Sequence, residues 1–185
     1  MIFGPITVQL KDGRSAIIRN AEPEDAEELI DYLKVTSAET PFLLRNPEEI
    51  NFTLDQEIEF IHSRNESENS LMLIARIGGE LAGNASYMSL GTLQRCDHRC
   101  SAGIALYQNY WGLGLGKIML NIILQEAAKA GYEQAELEVV TSNDNAIALY
   151  KALGFEIFGE RKHSMKYKDG SYADEYLMMK MLGNR

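Results

Sequence analysis

The feature that most constrains this chain is a glycine-rich turn that opens directly into a helical pattern. The turn runs from Leu106 to Lys117, and in it Gly112, Gly114 and Gly116 alternate with leucines. A helix start has unpaired backbone N–H groups and the positive end of the helix dipole, and glycine lets a ligand approach closely. The sequence therefore predicts a phosphate- or pyrophosphate-binding turn between a strand and a helix. Apolar residues of that helix recur at Leu115, Ile118, Met119, Ile122, Ile123 and Ala127.

Two common nucleotide-binding motifs do not match this turn. The P-loop requires a glycine where Trp111 stands and a serine or threonine where Ile118 stands. The dinucleotide fingerprint requires a third glycine at the position of Lys117 or Met119. The glycine pattern that remains is also compatible with a tight turn that binds no ligand.

A second segment makes the pattern more specific. Residues 143–155 read N-x-x-A-x-x-L-Y-x-x-x-G-F, beginning at Asn143 and containing Tyr150. Together with the glycine turn, which reads as [Arg/Gln]-x-x-Gly-x-Gly with Trp111 in the first position, it resembles the GNAT superfamily of N-acetyltransferases. The resemblance covers roughly residues 98–160, and Trp111 departs from the Arg or Gln usual in that family.

The order of predicted elements agrees with the fold that this resemblance implies. That fold is a mixed α/β structure with a central, splayed, mostly antiparallel sheet and helices on both faces. The alternation of apolar and polar residues predicts the order β-α-α-β-β-β-α-β-α-β-β, within one domain over residues 1–185. Strands or hairpins are predicted at 6–19, 71–77, 80–90, 99–106, 133–140, 155–165 and 172–181, and helices start near Pro23, Thr53, Leu115 and Asn145.

The resemblance implies acetyl-CoA as the cofactor. The backbone N–H groups of the turn would hold its pyrophosphate, and main-chain groups of Leu106 and Gln108 would bind pantetheine and polarise the thioester carbonyl. Asn143 would orient the cofactor, or cap the helix that follows it. The turn residues concerned are Trp111, Gly112, Leu113, Gly114, Leu115, Gly116 and Lys117.

Two side chains are candidates for the proton transfers. Tyr150 matches the family tyrosine that protonates the departing thiolate, although it could also be a packed aromatic residue. The general base varies within the family. Glu138 is the first choice because its predicted strand lines the split in the sheet, but a strand glutamate can also face solvent. His98 and Glu136 rank lower.

Charge and composition exclude several classes of partner. The formal net charge of −9 disfavours nucleic acid, and no apolar run reaches the ~18 residues of a membrane helix. Cys96, His98 and Cys100 lack the second ligand pair of a zinc site, so no metal is expected. The absence of a signal-peptide pattern predicts the cytoplasm.

The acceptor is predicted to be a primary amine on a small molecule or a peptide. The fold does not choose among such amines. A non-catalytic module that binds or senses acetyl-CoA is the alternative function, and a homodimer is compatible with the resemblance.

Overall fold

The computed structural model describes residues 1–183, which form one eight-stranded sheet flanked by four helices. The strand order is β1-β2-β3-β4-β5-β6-β8-β7. The strands are β1 (Ile6–Gln9), β2 (Ser15–Asn20), β3 (Ser70–Ile77), β4 (Glu80–Ser89), β5 (Arg99–Leu106), β6 (Gln134–Val140), β7 (Glu156–Lys166) and β8 (Tyr172–Met181). The helices are α1 (Ala26–Glu39), α2 (Leu54–Glu66), α3 (Leu115–Lys129) and α4 (Asp144–Ala152).

The sheet splits between β5 and β6, the fifth and sixth strands in its spatial order. Every neighbouring pair is antiparallel except β5 and β6, which run parallel and pair only where Arg99–Ser101 face Gln134–Glu136. Beyond this short ladder, β5 continues to Leu106 beside β4 and β6 continues to Val140 beside β8, but the two strands no longer pair with each other. The splayed, mostly antiparallel sheet expected from the sequence is therefore confirmed.

Helices cover both faces of the sheet, because alternate side chains of the central strands are buried on opposite sides. Leu71 and Leu73 of β3 pack in a core that includes α3 and α4. Met72 and Ile74 of the same strand pack in a second core with α1 and α2. The continuous apolar run of β3 is thus explained by burial on both faces.

Most elements begin and end within one or two residues of their predicted limits. The first strand region is a hairpin whose turn uses Gly13 at φ 87°. Thr53 and Gln56 form the predicted capping box of α2, with the Thr53 hydroxyl accepting from the Gln56 N–H. The irregular segment predicted after α1 contains a short 3-10 turn at Pro47–Glu49. In the described part of the chain, no helix is long and apolar enough to cross a membrane.

Candidate active site

The glycine turn lies between the end of β5 and the start of α3. Gly112 has φ 77° and Gly114 has φ 86°, a left-handed conformation that costs other L-residues energy. Gly114 is the N-cap of α3, and neither a capping side chain nor an acidic residue in the first turn neutralises this helix end. The glycines are therefore required by the backbone path, and the positive end of the helix dipole is left open.

Six consecutive backbone N–H groups of this turn have no hydrogen-bond partner among residues 1–183. They extend from Gly112 to Lys117, whereas the N–H groups on either side, of Trp111 and Ile118, donate to Gln108 and Gly114 carbonyls. Orphan N–H groups at an exposed helix start favour an anion. The turn thus presents donors of the kind that phosphate groups accept from, and its binding of a pyrophosphate stays a prediction.

The main-chain direction of β5 decides which of its groups face the split. The Tyr107 N–H donates to the Ala82 carbonyl of the β4 side, while the His98 carbonyl accepts from Gln134 on the β6 side. Because successive residues of a strand direct their N–H groups to opposite neighbours, Leu106 directs its N–H toward β6. The β5–β6 ladder has already ended there, so this N–H points into the split.

Two other groups at the end of β5 are already engaged. The Leu106 carbonyl accepts a hydrogen bond of 2.9 Å from the Trp111 indole N–H. The Gln108 backbone N–H donates to the Glu39 carboxylate at 2.9 Å, and the Gln108 side-chain amide donates to the Glu39 carbonyl at 2.5 Å. The Trp111 indole therefore occupies the carbonyl of Leu106 at the end of β5. Gln108 is hydrogen-bonded to Glu39 at the end of α1, so its backbone N–H is not free for a ligand.

Tyr150 lies in α4 with its ring almost fully buried. The ring makes an edge contact of 5.9 Å with Phe155, and the hydroxyl has no hydrogen bond to any residue of 1–183. Burial raises the pKa of Tyr150 to about 12, so the phenol stays protonated at neutral pH. Asn143 caps this helix, its Oδ1 accepting from the Ala146 N–H at 3.2 Å. The side-chain amide of Asn143 is left for other partners.

Glu138 lies on β6 beyond the point where β5 and β6 separate. Its neighbours Leu137 and Val139 are buried in the core, whereas the Glu138 side chain points to the other face and is half-exposed. Both carboxylate oxygens accept hydrogen bonds of 2.8 Å from the Arg161 guanidinium of β7. Arg161 also approaches Glu175 at 3.6 Å. The predicted base is thus held in a charge network on the open face of the sheet.

The two weaker base candidates lie away from the split. Glu136 accepts from Arg99 at 3.1 Å, within the paired part of the β5–β6 ladder. The His98 carbonyl accepts from the N–H groups of Glu133 and Gln134 where that ladder begins. Both residues therefore sit at the closed end of the two strands.

An open cavity of about 600 Å³ begins where β6 ends. Its walls come from the segment after α1, from the turn between β6 and α4, and from the β7–β8 hairpin. The Tyr167 hydroxyl donates to the Pro41 carbonyl at 3.1 Å, which joins the hairpin to the segment after α1. Lining residues include Pro41, Phe42, Thr141, Ser142, Tyr167 and Asp174.

A bulge in β7 places His163 in the wall of this cavity. His163 has φ 52°, which is rare for a residue other than glycine, and its N–H donates to Asp174 at 2.8 Å. Its ring stacks on Tyr172 with centroids 4.7 Å apart. This hydrogen bond and a Lys162 ammonium lower the pKa of Asp174, which keeps its carboxylate ionised. Strained backbone of this kind is common at functional sites. The alternating pattern of β7 gave no sign of it.

The two cysteines lie just before β5 and within it. Cys96 and Cys100 are free thiols, and burial raises the pKa of Cys100 to about 12. Within residues 1–183, no group of three His, Cys, Asp or Glu side chains is placed to hold a metal ion.

Known proteins share both the sequence pattern and the fold. The chain is 36% identical over 110 residues to the N-alpha-acetyltransferase RimI of Mycobacterium tuberculosis, covering 60% of the chain and 65% of that protein's length. It is 30% identical over 182 residues to an N-alpha-acetyltransferase of Sulfurisphaera tokodaii, covering 92% of the chain and 95% of that protein.

Among solved structures, an acetyltransferase of the GNAT family from Streptococcus pneumoniae superposes with a TM-score of 0.85 at 31% identity. That match covers 90% of this chain and 99% of the other. The model of the acetyltransferase (GNAT) family matches residues 29–155, a range that includes β5, the glycine turn, Glu138 and Tyr150. The chain therefore belongs to the acetyltransferase (GNAT) family, the family of acetyl-CoA-dependent N-acetyltransferases.

Proposed function

We propose that this protein transfers the acetyl group of acetyl-CoA to the α-amine of a peptide or protein, by direct attack in a ternary complex. The observation that carries the proposal is the run of six unpartnered N–H groups from Gly112 to Lys117, next to the split in the sheet. Two relatives are named N-alpha-acetyltransferases, which supports an α-amine over other acceptors.

The cofactor side of the site is formed mainly by backbone. The N–H groups of the turn would hold the pyrophosphate of acetyl-CoA, and the Asn143 amide is available to orient the rest of that molecule. When bound, acetyl-CoA supplies the acetyl group as an activated thioester. The Leu106 N–H, directed into the split, would donate to the thioester oxygen of bound acetyl-CoA and stabilise the charge that develops there. Fixed donors of this kind are often the largest contribution to catalysis.

The acceptor side has room for an extended chain. The cavity at the end of β6 is open, and its walls are partly aromatic and partly polar. A peptide that enters between Phe42 and the β7–β8 hairpin reaches the end of β6, where β5 and β6 are apart. Small amines need less space, so the size of this cavity favours a peptide.

Two side chains move the protons. Glu138 takes the proton that the ammonium must lose before attack, and Arg161 holds the Glu138 carboxylate in one orientation. Tyr150 would donate the proton of its hydroxyl to the departing sulfur, and the second proton that the attacking nitrogen loses as the amide forms would restore the phenol. The high pKa of this phenol keeps the proton in place until a thiolate forms.

The test is an assay of acetyl transfer to a set of acceptors at equal concentration. The set contains peptides with a free N-terminus, the same peptides with a blocked N-terminus and one internal lysine, polyamines and amino acids. Mass spectrometry locates the acetyl group, and free thiol release gives the rate. We expect transfer to the free α-amine only. Transfer to lysine or polyamines would contradict the α-amine assignment, and binding of acetyl-CoA without transfer would support the non-catalytic alternative.

We also propose that the protein acts in a reducing compartment such as the cytoplasm. Its two cysteines are unpaired, which is typical of proteins kept in the reduced state. A homodimer stays a prediction from the resemblance, and sedimentation equilibrium tests it.

A further inference from the structure

The turn between β1 and β2 lies directly against the glycine turn. The Lys11 backbone N–H donates to the Leu113 carbonyl at 3.1 Å, which fixes the two turns to each other. This first hairpin lies outside the residues that match the family model, which begin at position 29. The contact is therefore a feature of this chain that the family motifs do not describe.

The Lys11 side chain continues over the glycine turn. A Cβ built on Gly114 would stand 3.4 Å from Lys11 Cε, 3.5 Å from its Cγ and 3.7 Å from its Cδ. The aliphatic stem thus packs along Gly114, the residue that caps α3. The ammonium is one bond beyond Cε, so it sits at the rim of the run of free N–H groups.

The Lys11 ammonium has no acidic partner among residues 1–183. In the same turn, Arg14 is already engaged, because its Nε contacts the Asp12 carboxylate at 2.7 Å and its guanidinium lies 5.8 Å from the Tyr110 ring centre. Lys11 is therefore the cation of this turn that is left for a ligand. Long cationic side chains pack their stems on the protein and keep the charged head in solvent, as this one does.

We propose that Lys11 is a cofactor-binding residue whose ammonium pairs with the pyrophosphate held by the glycine turn; this rests on the proposed function. A chain with a formal net charge of −9 repels a polyanionic ligand over long range. A cation beside six N–H donors offsets that repulsion where the phosphates bind. Lys11 contributes in two ways, because its ammonium supplies the charge and its backbone N–H also fixes the conformation of the glycine turn.

The test is calorimetric titration of CoA and of dephospho-CoA into the wild-type protein and three variants. Lys11→Met keeps the stem that packs on Gly114 but removes the charge, and Lys11→Arg keeps the charge. Lys129→Met makes the same charge change at the far end of α3, where Glu126 is the one ion-pair partner of Lys129 within residues 1–183. Each titration is carried out at low and high salt.

We expect Lys11→Met to weaken CoA binding about fivefold at low salt and less at high salt, as for a partly exposed ion pair. Lys11→Arg and Lys129→Met should bind as the wild type does, and all variants should melt at the wild-type temperature. The same fivefold ratio is expected with dephospho-CoA, which retains the pyrophosphate. Equal CoA affinity in Lys11→Met and wild type would overturn this inference. It would also be overturned if the two proteins bound dephospho-CoA with equal affinity. Failure of the wild type to bind CoA would instead overturn the proposed function.

Discussion

The two sides of the split in the sheet are built from different parts of the chain. On the β5 side, the groups that face the site are backbone N–H groups without partners. On the β6 side, the facing groups are charged side chains that already pair with each other, such as Glu138 with Arg161 and Asp174 with Lys162. Under the proposed function, the cofactor side is therefore ready to bind, whereas the acceptor side must exchange ion pairs for its ligand.

The same contrast appears among the helix starts. α2 and α4 are capped by the side chains of Thr53 and Asn143, and α1, α2 and α4 each have acidic residues in the first turn. The start of α3 has neither feature. Capping and first-turn carboxylates stabilise a helix, so their omission at one end costs stability and leaves donors for a ligand.

The largest effect should come from Tyr150, the proposed proton donor to the departing sulfur. Tyr150→Phe should lower kcat about 1000-fold, because it removes a proton donor from a ring that otherwise stays packed against Phe155. The affinity for CoA should not change. Tyr132→Phe is the matched control, since it removes a buried hydroxyl that donates to Asn69 far from the split. A wild-type kcat in Tyr150→Phe would end the assignment of this acid.

The pH dependence of kcat/KM tests the same assignment of Tyr150 as the acid. The pKa of Tyr150 is raised to about 12, so its proton is retained throughout the range from pH 7 to pH 10. kcat/KM should therefore rise as the acceptor α-amine, with a pKa of about 8, loses its proton, and should then stay level. A decline centred near pH 10 that is absent from Tyr150→Phe would contradict the raised pKa.

The next largest effect should come from the backbone of the cofactor side. Gly114→Val forces a β-branched residue to adopt φ 86° and displaces the donors, so affinity for CoA should fall about 300-fold. Gly131→Val is the control, because Gly131 has φ 96° at the other end of α3. Both variants should lose about 2 kcal/mol of stability, measured by urea unfolding. If Gly131→Val lost binding equally, general destabilisation and not the turn would be the cause.

On the acceptor side, Glu138→Gln should lower kcat about 100-fold while the affinity for CoA stays at the wild-type value. The amide can still accept from Arg161, so the network is altered in charge more than in shape. Glu160→Gln is the matched variant, since among residues 1–183 Glu160 pairs only with Lys162, two residues further along β7. A wild-type rate in Glu138→Gln, read from thiol release at saturating peptide, would remove Glu138 as the base.

The smallest effect should come from giving α3 the acidic first turn of the other helices. Lys117→Glu should stabilise the protein by about 0.5 kcal/mol through the helix dipole and weaken CoA binding about 10-fold through repulsion of its phosphates. The informative result is that the stability of the protein rises while its affinity for CoA falls. Lys129→Glu makes the same charge change at the C-terminal end, where it should destabilise the helix and leave binding unchanged.

More of the cofactor side than of the acceptor side leaves a pattern in the sequence, for a physical reason. A backbone anion site needs glycines at left-handed positions and a helix start, and both leave a pattern in the sequence at Gly112 and Gly114. The split itself was expected from the resemblance, and it is present because β5 and β6 pair only at their first residues. Contacts made by tertiary packing left no such pattern, as the bond from Gln108 to Glu39 shows.

The acceptor side depends on pairings between distant strands. Arg161 meets Glu138 only because β8 lies between their strands in the sheet and the pleat places both on one face. The left-handed conformation of His163 arises from a bulge, which an alternating strand pattern does not reveal. Register and strand order must be known before these residues can be grouped, so the sequence offers Glu138 as a candidate base but gives no sign of its partner Arg161.

The most direct measurement of the central claim is an NMR titration of the 15N-labelled protein with CoA. We expect the backbone amide signals of Gly112 to Lys117 and of Leu106 to shift on binding and to become protected from exchange with solvent. The amide of Gln56, which is already capped in α2, should not change. Unchanged signals from the glycine turn at saturating CoA would contradict the claim that these free N–H groups hold the cofactor.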